Sequence, residues 1–89
     1  MGPVERSIRN HLAGYLGGRE SLDRFTDWIV GAVWNIEQAD EPAAATLGYA
    51  IELVLADWTS GLLDPAERDA GLHALVLAEP AATGGVHDL

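Results

Sequence analysis

The chain has 89 residues, no cysteine, 48% apolar residues and a formal net charge of −9. A domain of this size buries only about 60% of its unfolded surface, so it has room for one modest core. The composition excludes disulfide and thiolate–metal support. It holds no apolar run near the ~18 residues of a membrane span, and its acidity argues against nucleic acid, which demands a basic footprint.

Met1-Gly2-Pro3-Val4-Glu5-Arg6 leads directly into a helical pattern without the apolar stretch of a signal peptide, so a cytoplasmic location is the expectation. The first helix is predicted over Pro3–Leu16. Val4, Ile8, Leu12, Tyr15 and Leu16 share one face, Pro3 suits the first turn, and Gly17-Gly18 supplies the stop. Ser21 is a good N-cap for a second helix. Its core face is Leu22, Phe25, Ile29, Ala32, Val33 and Ile36, with Trp28 on the flank. Gly31 within it permits either a close approach of another helix or a bend. The segment Glu37-Gln38-Ala39-Asp40-Glu41-Pro42 reads as an acidic linker.

A third helix is expected from Pro42, capped by Asp40 or Glu41, with a stripe of Leu47, Ile51, Val54, Leu55 and Trp58 and a stop at Ser60-Gly61. Asp64-Pro65-Ala66-Glu67 has capping-box spacing, with Asp in the Ser/Thr role and Pro at the first helical position. It opens a fourth helix whose core face is Leu72, Leu75 and Val76 and which ends at Glu79-Pro80. No alternating strand pattern or hairpin turn competes. The expected fold is all-α, a small four-helix bundle with short antiparallel connections. It comprises one domain over residues 1–80 and a flexible tail over 81–89.

Nothing in the chain assembles a catalytic or metal signature. His11, His73 and His87 lack zinc-ligand spacing. Glu37, Asp40 and Glu41 cluster without the alternating ligands and glycine turn of a calcium loop. Glu52 and Asp57 point in different directions along one helix. No phosphate-binding, dinucleotide or nucleophile-elbow motif occurs. The expectation is a non-enzyme with no cofactor and no metal.

Charge and misplaced apolar residues point to binding instead. Up to Ile36, four acids balance four arginines; from Glu37 onward ten acids face one arginine, so the whole −9 lies there. That field favours a basic protein partner and speeds encounter; the plainer reading is a solvated acidic surface. On the second helix Val30 and Trp34 lie opposite the core stripe, and on the third Tyr49 and Leu53 do the same. Two readings are open for these four residues. They form an interface, or helices two and three are central and buried on two sides, with a bend at Gly31 returning Trp34 to the core. The interface reading assigns Val30, Trp34, Tyr49 and Leu53 as apolar anchors and Glu37, Asp40, Glu41 and Glu52 as the charged rim. The alternative partner is a second copy of the chain, in a self-associating homodimer.

Two family resemblances follow. Gly18-Arg19-Glu20-Ser21-Leu22 resembles the Asp-Ser-Leu attachment site of acyl carrier proteins, which implies a modifiable Ser21. The chain departs from it in Glu20 and in having only Gly17 to Glu20 between helices. The run from Ile8 through Leu12, Tyr15-Leu16 and the glycine pair to Ser21-Leu22-Asp23-Arg24-Phe25 and Trp28 resembles small acidic helical bacterial proteins grouped with colicin-type immunity proteins. The later Leu47-x-x-x-Ile51-x-x-x-Leu55 pattern extends the similarity to Gly61. An all-arginine basic set with abundant alanine and glycine fits a GC-rich bacterial genome. What the resemblance implies is a helical fold and a function of binding a basic toxin.

Overall fold

A computed structural model of the chain describes residues 2–77. The order is α1 (Pro3–Leu16), α2 (Leu22–Trp34), a 3-10 turn (Ile36–Ala39), α3 (Pro42–Thr59) and α4 (Pro65–Leu77). There is no strand among the described residues. The fold is a small all-α bundle, as the periodicity predicts. The expected end of the fourth helix at Glu79-Pro80, the tail over 81–89 and His87 lie outside the described residues.

The local punctuation of α2 and α4 acts where it was expected, whereas Glu41 precedes α3 without a side-chain cap bond to it. Ser21 accepts a hydrogen bond from the Arg24 N–H at 3.1 Å. Asp64 and Glu67 form the full capping box, each carboxylate accepting the other's backbone N–H, at 2.8 and 2.9 Å. Ile8, Leu12, Phe25, Ile29, Ile51 and Leu72 are completely enclosed and form the centre of the core. Leu75 and Val76 pack only partly against it.

Three features depart from expectation. The acidic linker is partly ordered as the 3-10 turn, because α2 stops at Asn35 and the chain turns to seat Ile36 in the core at 2% exposure. The central pair is α1 and α3, not α2 and α3. Both pack on all the other helices, while α2 and α4 make little contact with one another. One face of α2 is therefore left to solvent. Finally, no helix approaches Gly31, where an added Cβ would meet nothing within 4 Å. The close approach is at Gly48 on α3. There a Cβ would lie 2.9 Å from Val33 Cγ2 and 3.1 Å from Ile36 Cδ1, so the end of α2 rests almost on the α3 backbone.

Helix ends are tied across the bundle. Gly2 caps α1 without a side chain. The missing acceptor comes from Glu41, whose carboxylate takes the N–H of Val4 and of Glu5, each at 3.1 Å. This satisfies two of the four free donors of a helix start and sets negative charge against its positive end. Arg9 performs the reverse service. Its guanidinium pairs with the buried Glu5 at 3.0 Å and donates to the carbonyls of Leu75 and Val76 in the last turn of α4.

Candidate binding cleft at the end of α2

The close packing at Gly48 determines what stands beside it. Val33 is in the core, so the next residue, Trp34, is turned outward and is 81% exposed. On α3, Tyr49 follows Gly48 in the same way and is 44% exposed. The 3-10 turn then brings Glu37 to Tyr49, whose hydroxyl donates to Glu37 Oε2 at 2.8 Å. Trp34, Asn35, Glu37, Gln38 and Tyr49 wall an open cleft of about 330 Å³ floored by Val33 and Ile36. Among the described residues, no basic side chain lines it. The bond to Glu37 raises the Tyr49 hydroxyl above its ordinary pKa, helped by desolvation and by the fields of Glu37 and Glu52, so the phenol stays neutral.

The structure thus brings together Trp34, Glu37 and Tyr49, with Glu52 near enough to act on Tyr49. Val30 and Leu53, one turn along their helices from Trp34 and Tyr49, are 53% and 63% exposed and line neither this cleft nor its neighbour. The central-helix reading of these four residues fails on both helices: no described helix covers this side of α2, and α3, although central, still leaves Tyr49 and Leu53 exposed. Asp40 stands in left-handed conformation (φ 57°), one that aspartate tolerates better than most residues, at the end of the 3-10 turn. With Glu37, Glu41, Pro42 and Ala45 it lines a smaller cleft of about 180 Å³. Glu41 differs from its expected place on the rim, because its carboxylate is turned to the start of α1.

The acidic half divides by role. Among the described acids from Glu37 onward, Glu41, Asp64, Glu67 and Asp69 hold the fold together. Glu37 on the 3-10 turn, Asp40 just after it, and Glu52 and Asp57 on α3 remain. Of these, Glu37 lines the cleft, Glu52 acts on Tyr49, Asp40 lines the smaller cleft, and Asp57 lines neither.

Two side-chain clusters escaped the sequence reading. His11 stacks on Trp28 with ring centroids 3.8 Å apart, and its Nδ1 lies 3.0 Å from the Glu20 carboxylate. Arg68, only 8% exposed, lies over the Trp58 ring at 4.5 Å. Its Nε donates to Asp69 at 3.0 Å and its terminal nitrogen to the Tyr15 hydroxyl at 3.0 Å, while that hydroxyl donates to Asp69 at 2.7 Å. Burial would raise the Asp69 carboxyl, but the bonds from Arg68 and Tyr15 outweigh it and hold the pKa below the usual value. Tyr15 is pushed up by burial and by its bond to Asp69. Adjacent Arg-Asp in the sequence carried a weak signal; the Tyr15 and Trp58 partners carried none.

An open groove of about 650 Å³ runs between α1 and α2 past Trp28 and Gly31, with Ser7 and Asp27 among its polar side chains. No group of three His, Asp or Glu side chains placed to hold a metal occurs among the described residues. No described helix is long and apolar enough to cross a membrane. No family model, curated protein or solved structure matches the chain.

Proposed function

We propose that the chain is a non-catalytic protein-binding domain, immunity-like in action, that masks a basic protein partner through the end of α2 and the adjoining face of α3. The exposure of Trp34 carries this reading. An 81% exposed tryptophan, flanked by exposed Val30, Tyr49 and Leu53, is an unusual feature of a small acidic surface. Tryptophan and tyrosine are the residues that anchor interfaces, and Glu37 and Glu52 set negative charge beside Tyr49, with Asp40 in the adjoining smaller cleft. Apolar burial holds the complex, and the charges set its rate and its choice of partner. A two-fold dimer through the same face would bring copies of Glu37, Asp40 and Glu52 together, a like-charge cost that a basic partner converts to attraction.

The test compares proteins retained from the producing cells by the immobilised chain and by a W34A/L53A variant, followed by purification of the differential partner. The expected partner is basic, associates more slowly as salt rises, and loses about 2 kcal/mol or more, roughly thirtyfold in affinity, on Trp34→Ala. W34A itself should leave stability within about 0.5 kcal/mol of the parent. An association that ignores salt, or identical retention by parent and variant, overturns the proposal. A tight dimer in sedimentation, lost in the variant, reassigns the face to self-association.

A further inference from the structure

We infer that the Trp34–Glu37–Tyr49 cleft is a guanidinium pocket, built to take one arginine side chain from the basic partner; the inference rests on the binding reading above and names its chemistry. The argument comes from a second place in the same molecule. Around Arg68 the chain assembles a tryptophan ring, a carboxylate and a tyrosine hydroxyl that donates to that carboxylate: Trp58, Asp69 and Tyr15. The cleft holds the same three kinds of group, Trp34, Glu37 and Tyr49, with the tyrosine again donating to the carboxylate, here at 2.8 Å. The difference is that Arg68 belongs to the first set, whereas among the described residues no basic side chain lines the second.

The chemistry of the set selects arginine. A guanidinium is planar and weakly hydrated, stacks on an indole face and presents a fork of donors to a carboxylate. A lysine ammonium is compact and strongly hydrated, and so gains less from the ring. Glu37 Oε2 is held by Tyr49, which orients the carboxylate and leaves Oε1 for the incoming cation. A cleft of about 330 Å³ is at the small end of ligand-sized pockets, which suits a single side chain rather than a peptide segment.

The experiment is a titration of the full chain, labelled with ¹⁵N, with a short arginine peptide, its citrulline counterpart and its lysine counterpart. The Trp34 indole N–H signal is the readout. Arginine should shift that signal saturably, lysine less, and citrulline not at all; Glu37→Gln, on an exposed turn, should weaken arginine binding by about fivefold or more. An unmoved Trp34 signal, or an equal response to citrulline, overturns the pocket. The two proposals fail separately. A protein partner that loses W34A but binds E37Q like the parent keeps the binding domain and removes the guanidinium pocket. Saturable arginine binding at Trp34 in a chain that retains no partner does the opposite.

Discussion

Glu37 and Glu41 are four residues apart in one acidic stretch, and the structure assigns them opposite duties. Glu41→Ala removes the acceptor for the Val4 and Glu5 N–H groups, and Gly2 offers no side chain to replace it. Loss of a side-chain cap costs about 0.5–2 kcal/mol, and loss of a negative charge at a helix start adds about 0.3–1 kcal/mol. Part of this is offset, because Glu5, at 3% exposure, places a second carboxylate on the same turn and repulsion between them is relieved. A net cost of about 1–2 kcal/mol follows. At about 4–8 °C per kcal/mol for a domain this size, the melting temperature should fall by roughly 5–15 °C. Glu37→Ala breaks only an exposed bond to Tyr49 and should stay within about 0.5 kcal/mol of the parent. Thermal unfolding followed by far-ultraviolet circular dichroism measures both, and hydrogen exchange at Val4 and Glu5 should quicken in E41A alone. Equal melting of E41A and the parent, or a larger loss in E37A, would refute the division of roles. Partner binding should respond in the opposite order, with E37A impaired more than E41A, whose loss is limited to the looser anchoring of the turn.

Arg9→Met leaves the Glu5 side chain, 4% exposed, without its cation and should cost about 3–5 kcal/mol in urea unfolding, most of it restored in the E5L/R9M double variant. Gly48→Ala gains about 1 kcal/mol of helix propensity but forces Val33 and Ile36 aside. Overpacking of that kind costs about 1–3 kcal/mol, so its melting temperature should stay level or drop; Gly31→Ala, with open space around it, should rise by the full propensity gain of about 1 kcal/mol. The Asp69 carboxyl has a folded pKa below its unfolded value near 3.8, so the stability it contributes is present above that pH and is lost as pH falls through the folded pKa. Tyr15 is raised above 10.0, so its contribution is present below that pH and lost as pH rises through the folded pKa. Unfolding free energy measured against pH should lose part of its acid slope in D69N and part of its alkaline slope in Y15F; unchanged slopes would remove the network from the pH dependence.

Most of the fold was legible because its signals are local. Ser21, the Asp64–Glu67 box and the glycine turns act within a few residues, and the apolar stripes identify the face each helix buries. Trp34 was legible only in direction. Its angle from the core stripe was plain, but whether a neighbour covers that side depends on which helices are central, a property of packing. Glu41 illustrates the harder limit. Its acceptor role links positions 36 and 37 residues apart, and a carboxylate before a proline-led helix reads locally as a cap for that helix. The same holds for Tyr15 and Arg68, which meet across 53 positions. The clustering of Trp34, Glu37 and Tyr49 was half visible. All three were candidates, but the 3-10 turn that joins them arises because Ile36 must reach the core beside Gly48.

The link from Glu41 to the start of α1 also bears on the energetics of recognition. Glu37 lies on a short turn between two helices, a kind of segment that often has to be ordered when a partner arrives. Here that turn is fixed at one end by Ile36 in the core and at the other by Glu41 on α1. Its conformational entropy is lost when the chain folds, and little is left to lose on docking. Under the proposed binding role, a partner would meet an acidic wall that is already in position, and the complex would form as a rigid encounter with little rearrangement of this backbone.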